Sequence, residues 1–298
     1  MARKAPRSIA GRVVAITGGA RGIGRATARA LSVQGAKVAI GDIDAPLAQR
    51  AAHELGPNAL GLELDVTDRA SFEAFLDEVE RRLGPLDVLI NNAGIMPVGP
   101  FVSETEATAR RILDINLHGV INGSKLALER FLPRNSGHLV NVASVAGKLG
   151  FPGGATYSAS KHAVVGLSEA IRGELRGTAI DVTIVMPVVV NTELGSGLQR
   201  VRGIRKVEPE EVATRIMHAL QTGHVDVWVP RSFAGLIRSA GFVPRSVADL
   251  VTRALKGHRV LVDPDPAQRA AYEHRTADPA PAPAPAPAQE SAQEAQPV

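Results

Sequence analysis

Seven short apolar runs recur along the chain, near residues 12–17, 37–42, 59–64, 86–91, 138–143, 180–186 and 225–229. Between them lie segments whose apolar residues fall at helical spacing, and the ends of those segments are readable. The spacing predicts a first helix after the glycines that follow Thr17, running through Leu31, and a second opening at Pro46 with Asp44 as its cap. A third stops at Gly84-Pro85, where glycine ends the helix and proline cannot extend it. A fourth opens at Ser103-Glu104-Thr105-Glu106, read as a capping box. Strand and helix in strict alternation imply βαβ units and a parallel sheet. The expected fold class is α/β, a doubly wound parallel sheet of the Rossmann type built as a single domain over residues 8–230.

Past Val229 the pattern changes. Phe233 to Ala240 and Arg245 to Lys256 carry apolar residues at helical spacing with arginines between them, so residues 231–276 form a helical extension. It caps a pocket, docks on a partner subunit or lies on an anionic membrane surface, and packing on the body of the protein is the plainest expectation. From Asp278 the chain becomes Pro-Ala repeats followed by Gln, Glu and Ser. Such a segment buries too little apolar surface to offset its ordering entropy, so residues 277–298 are expected to be a disordered tail.

At 298 residues the chain is long for one domain but suits a doubly wound sheet with a single core. The absence of cysteine removes disulfides, thiolate metal sites and cysteine nucleophiles. The eight histidines form no ligand spacing, and no metal is expected. The net charge of +4 comes from scattered arginines, and only 3% of residues are aromatic, so neither clustering nor stacking favours nucleic acid as a partner. Met1 to Ala10 is basic without an apolar core, and Val182 to Val190 falls short of the roughly eighteen apolar residues a membrane span requires. A soluble, cytoplasmic protein is expected.

The candidate chemistry begins at Gly18-Gly19-Ala20-Arg21-Gly22-Ile23-Gly24, between the first strand and the first helix. Backbone N–H groups and a helix N-terminus in that arrangement receive a pyrophosphate. Gly18 permits the tight turn, while Gly22 and Gly24 permit close approach. Asp42 ends the second strand near the roughly twenty-residue offset at which a carboxylate binds the adenosine ribose and repels a 2′-phosphate. NAD is therefore expected over NADP, with Asp44 adding negative charge and Arg21 arguing mildly the other way. Farther on, Tyr157 and Lys161 stand four residues apart, on one helix face. Ser144 ends the fifth apolar run. A cation beside a phenol lowers its pKa from about 10 and makes it a usable acid or base. Ser144 can donate to a substrate oxygen.

These motifs together resemble the short-chain dehydrogenase/reductase family over residues 10–230: Thr17 to Gly24, Asp65-Val66, Asn91-Asn92-Ala93-Gly94, Asn116, Ser144, and Tyr157 with Lys161. The resemblance implies that Asp65 and Val66 border the adenine and that Asn91 steadies the central sheet. It places Asn92, Ala93 and Gly94 by the nicotinamide ribose, and gives Asn116 a water that links Lys161 to solvent. Pro187, Val190 and Thr192 would line the carboxamide side. It also implies a homodimer or homotetramer. One departure stands out: the family's usual Pro-Gly after the sixth strand is Pro187-Val188 here.

The expected reaction interconverts a secondary alcohol and a ketone. Ile95 to Val98, Val145, Leu149, Phe151, Val188 and Leu194 form an apolar candidate wall, with Met96, Val188 and Leu194 beside Ser144 as the expected substrate contacts. Residues 193–206, with three glycines, read as a mobile lid. An NADP-dependent carbonyl reductase, and a nucleotide sensor without turnover, are the alternatives on the same fold.

Overall fold

A computed structural model describes residues 6–198, 206–235, 261–262 and 264–276. The seven apolar runs become β1 (Val13–Thr17), β2 (Lys37–Asp42), β3 (Ala59–Glu63), β4 (Val88–Asn91), β5 (Gly137–Val142), β6 (Ile180–Pro187) and β7 (Asp226–Val229). They form one sheet in the order β3-β2-β1-β4-β5-β6-β7, and all pairs are parallel. The order in which strands are added reverses between β1 and β4, which opens the crevice where open α/β sheets receive ligands.

Parallel strands are covered on both faces, so they read as unbroken apolar runs while their side chains still alternate. In β1, Val14 and Ile16 point into one core with Leu31 of α1 (Gly22–Val33), the small alanines of α2 (Ala45–Leu55) and Ile216 of α7 (Pro209–Thr222). Val13 and Ala15 point into the opposite core, with Phe72, Phe75 and Leu76 of α3 (Arg69–Leu83) and Phe131 of α5 (Gly119–Phe131). Each such large side chain taken fully from water contributes about 1.5–3 kcal/mol. Slipping any one strand by a residue would exchange the two sets, which fixes the register.

The caps largely follow the sequence. Asp44 accepts from the Leu47 N–H at 3.1 Å, and Gly84 closes α3 at φ 106°. The start of α4 (Glu106–Leu113) differs from expectation. Thr105, not Ser103, is the cap, its hydroxyl accepting from the Thr108 N–H at 3.1 Å, because Phe101–Ser103 winds into a 3₁₀ turn first. Between α4 and α5 the backbone widens into a one-turn π segment, Asp114–His118. α6 (Ala155–Glu174) then carries Tyr157 and Lys161. The two helical stretches expected at 233–240 and 245–256 lie mostly outside the described residues, as does the Pro-Ala tail. A helix that the periodicity did not single out, α8 (Pro266–Thr276), is present. Asp265 caps it, accepting from the Ala267 N–H at 3.0 Å, and Pro266 takes the first helical position.

Candidate active site

Every expected site residue lies at or beyond the C-terminal edge of the sheet. The glycine turn leaves β1 at Thr17, whose hydroxyl accepts from the N–H groups of both Asn92 and Ala93 at 3.0 Å. The Asn92 amide donates to the carbonyls of Thr17 and Gly18, each at 3.0 Å, so the two loops are tied across the crevice. A Cβ at Gly24 would sit 2.8 Å from Asn92 Nδ2 and 2.8 Å from Gly19 Cα, so only glycine lets α1 begin this close to the turn. Gly18 and Gly22 hold φ of 60° and 48°, and Ile23 packs partly into the core.

This turn fits a dinucleotide. Arg21, the N-cap of α1, supplies no side-chain oxygen to the helix N–H groups, and no acid lies in the first turn. The N-terminal partial positive charge is left for an external anion. Thr192 lies over the same turn, its Cγ2 3.0 Å from where a Gly22 Cβ would be. At the tip of β2, the Asp42 carboxylate is not free but fixed: it accepts from the Ala20 N–H at 3.1 Å and the Asp44 N–H at 3.2 Å. Arg21 is held by Asp44 at 2.5 Å, with Glu193 at 3.7 Å. Asp65 and Val66 follow β3; Asp65 closes on Thr67, and the Val66 carbonyl accepts from Asn122.

The reactive cluster is assembled from four elements. Ser144 follows β5 and opens a 3₁₀ turn, its hydroxyl accepting from the Ala146 N–H at 3.1 Å and donating to the Pro187 carbonyl at 3.4 Å. Lys161, one helical turn from Tyr157, is buried and donates to the Val142 carbonyl at 2.9 Å. Its Nζ stands 5.9 Å from the centre of the Tyr157 ring. Asn116, in the π segment, brackets residue 95: Oδ1 accepts from the Ile95 N–H at 2.8 Å and Nδ2 donates to its carbonyl at 2.9 Å. A Cβ at Gly94 would lie 3.1 Å from Asn116 Oδ1 and 3.5 Å from Lys161 Nζ, so the loop after β4 lies directly against both. Single π turns recur where a helix must redirect a side chain. Asn91 bonds Asn141 at 2.9 Å beneath them, bracing β4 against β5.

Electrostatically the site differs from the sequence expectation. Burial pushes the Tyr157 phenol up to about 12, against the smaller downward pull of Ser144, with Tyr272 adding upward. Burial pushes the Lys161 ammonium down to about 8. Desolvation is the largest influence on both groups, and it favours neutral phenol over phenolate.

The substrate side also needs correction. Met96, Leu194, Val98 and Phe151 gather with Ala146 around Tyr157, as expected. Val145 instead packs into a neighbouring core with Met186 and Trp228, where Val188 also makes its contacts, and Leu149 is exposed at the surface. The Val188 N–H is bound to the Val229 carbonyl of the last strand, and this holds its backbone to the sheet. The Val190 carbonyl accepts from the Thr192 N–H at 2.9 Å. Of the expected lid, residues 199–205 lie outside the described set, while Glu193–Gly195 forms a 3₁₀ turn. Sequence reasoning missed three contributors. Leu261 joins the cluster around Tyr157, the Tyr272 hydroxyl accepts from the Met96 N–H at 2.7 Å, and Arg269 donates to the carbonyls of Met96, Leu194 and Ser196. The available signal was Asp265-Pro266, a cap and first-turn proline opening a helix that carries one of only two tyrosines in the chain.

A doubly wound sheet with a glycine turn after β1, and with Ser144 gathered past β5 beside the buried Tyr157 and Lys161, has the architecture of a nucleotide-dependent oxidoreductase. Residues 12–202 match the short chain dehydrogenase family, and the chain belongs to it. Its relatives include the 2-(S)-hydroxypropyl-CoM dehydrogenase 3 of Xanthobacter autotrophicus, 41% identical over 63% of this chain and 74% of that protein. Another, from the same organism, is an inactive 2-(S)-hydroxypropyl-CoM dehydrogenase 2, 43% identical over 57% of this chain and 75% of that protein. Among solved structures, a short-chain dehydrogenase/reductase from Burkholderia phymatum in complex with NAD superposes with a TM-score of 0.72 at 27% identity, covering 78% of this chain and 93% of that one.

Proposed function

We propose that the protein is an NAD-dependent dehydrogenase that interconverts a hydrophobic secondary alcohol and its ketone. The observation that carries this reading is the convergence of Ser144, Tyr157, Lys161 and Asn116 against the Gly94 loop, beside an N-terminus of α1 that has no side-chain cap. Gly18 to Gly24, Asp42, Asn92 to Gly94 and Thr192 would hold the dinucleotide, which would supply the hydride acceptor for oxidation and the hydride donor for reduction.

Tyr157 is the proton-transfer residue. In reduction its phenol, held protonated by burial, gives a proton to the carbonyl oxygen as charge develops there. In oxidation it takes the hydroxyl proton, a step that needs the phenolate and therefore the ammonium of Lys161 near it. Ser144 donates to the same substrate oxygen and holds it in line. Asn116 fixes the Ile95 backbone and, through Ser160 at 3.2 Å, the turn of α6 that presents Lys161. The preference for NAD rests on Asp42, whose carboxylate is held at the tip of β2 where it would meet an adenosine ribose, while Asp44 and Glu193 engage Arg21. The NAD bound to the Burkholderia phymatum structure supports the same choice.

The test is Tyr157→Phe. With a responsive ketone, turnover falls at least a thousandfold while NADH affinity, read by fluorescence titration, changes less than threefold. Unchanged turnover would reassign the proton donor. A wild type that binds NADH and reduces no carbonyl would place the chain with its inactive relative.

A further inference from the structure

The family match ends at residue 202, yet the chain returns to the reactive cluster from beyond it. Leu261, Asp265, Arg269 and Tyr272 between them touch all three loops that surround Tyr157. Leu261 lies on the turn before α6 so closely that a Cβ at Gly153 would be 2.5 Å from its carbonyl carbon, and one at Gly154 would be 2.7 Å from its Cδ1. The Asp265 N–H donates to the Gly197 carbonyl at 2.8 Å, and a Cβ at Gly197 would be 2.7 Å from the Asp265 oxygen. Arg269 is wholly buried and inserts its guanidinium between the loop after β4 and the loop after β6. It donates to Leu194 O at 3.2 Å, Ser196 O at 3.1 Å and Met96 O, while its Nε stands 3.0 Å from Glu273, off the line of a hydrogen bond. Tyr272 accepts from the Met96 N–H, and Arg275 pairs with Glu193 at 2.6 Å.

We propose that Leu261 and residues 264–276 form a fixed wall of the substrate chamber, latched by Arg269, that restricts the enzyme to compact, uncharged alcohols and ketones and excludes substrates carried on a long phosphopantetheine-type thioester arm. The proposal rests on the dehydrogenase reading above. A tethered ketone reaches Tyr157 only if an open channel runs from the reacting carbon to solvent, and Leu261, Leu198 and Met96 close that side, leaving Tyr157 7% exposed. Both cations of that wall are already paired, Arg269 with Glu273 and Arg275 with Glu193, so neither is left as a counter-charge to a substrate anion. A cleft of about 390 Å³ lies beside α8, between Ile95 with Pro97–Gly99, the start of α4, and Glu273 with Thr276, and none of the reactive side chains lines it. Its charged rim holds Glu104 and Glu273 against Arg111, a balance that disfavours a phosphate-bearing arm.

Two readouts on the full-length chain test this. The first is the ratio of kcat/KM for a compact β-keto ester to that for the same acyl group as a pantetheine thioester. The wild type favours the ester at least tenfold, and Arg269→Ala cuts that preference at least fivefold. The second needs no turnover. Tyr157 and Tyr272 are the only tyrosines in the chain, so nitration by tetranitromethane, located by mass spectrometry, reports access to Tyr157. Its rate rises at least fivefold in Arg269→Ala and in Tyr272→Phe, which leaves Tyr157 as the sole target. Should the alanine variant fail to fold, Arg269→Lys keeps the charge, loses the planar fork and moves both readouts the same way. Equal use of ester and thioester by the wild type, or an unchanged nitration rate in folded variants, would overturn the proposal. Faster nitration in a wild type and variants that reduce no carbonyl would sink the dehydrogenase reading and the substrate restriction with it, leaving only a cover over Tyr157.

Discussion

Replacing Lys161 with methionine should make the protein more stable at neutral pH while removing its activity. The amine is buried, and burial draws its pKa from 10.5 to about 8. Below pH 8 both the folded and the unfolded chain carry the proton, so the folded state bears the full cost of the buried charge. That cost is about 3 kcal/mol at roughly 1.4 kcal/mol per pKa unit. Methionine keeps the length and apolar stem of the side chain and removes the charge. It also leaves the Val142 carbonyl without the donor it has at 2.9 Å, a loss of about 1–2 kcal/mol. The net gain is about 1–2 kcal/mol at pH 7.

The sign with pH makes the argument decidable. Between pH 8 and 10.5 the unfolded wild type binds more protons than the folded one, so wild-type stability rises with pH through that window. By pH 10 the remaining cost is about 1 kcal/mol, and the methionine variant loses its advantage. Urea unfolding followed by the fluorescence of Trp228, the sole and buried tryptophan, measures both proteins at pH 7 and pH 10. A variant less stable than wild type at pH 7, or a difference that does not narrow at pH 10, would refute the claim that Lys161 is a destabilising group kept for its chemistry.

Two further outcomes follow from the same site. Asp42→Ala should shift the NADP-to-NAD ratio of kcat/KM upward at least tenfold, since it removes the carboxylate that repels a 2′-phosphate; a wild type preferring NADP would show that Arg21 governs instead. Because burial holds the Tyr157 phenol up to about 12 and the Lys161 ammonium is lost above about 8, alcohol oxidation, which needs the phenolate beside the ammonium, should rise several-fold per pH unit from pH 6 to 8 and level off above it, while ketone reduction stays within threefold. Initial rates in both directions across that range decide it, and a flat oxidative profile would mean that the phenol is already ionised.

The sheet was legible because burial on both faces writes itself into a strand as a continuous apolar run, and seven such runs became seven strands with ends displaced by at most two residues. The dinucleotide turn was legible for a similar reason: Gly24 stands where no side chain fits. The cost of gathering the reactive groups was not legible. Spacing places Lys161 one turn from Tyr157, but it does not report that both lose their water, and that loss reverses the expected shift of the phenol. Nor does periodicity distinguish Val145, which packs with Trp228, from Met96, which meets Tyr157. Both are apolar residues beside the same motifs, and only the direction of each side chain separates core from chamber.

The contacts of α8 were hidden for a deeper reason. Arg269 binds the carbonyls of Met96, Leu194 and Ser196, and Tyr272 binds the N–H of Met96. Backbone partners leave no trace in residue type, because every position offers the same carbonyl. What the sequence does record is the room made for them, at Gly153 and Gly197, where glycine holds φ of 81° and 66° and the returning chain fills the space a Cβ would need. A wall that docks on backbone can be exchanged without disturbing the reactive cluster beneath it. On this fold, substrate range is therefore free to change while Ser144, Tyr157 and Lys161 stay as they are, and two relatives that share those residues need not share a substrate.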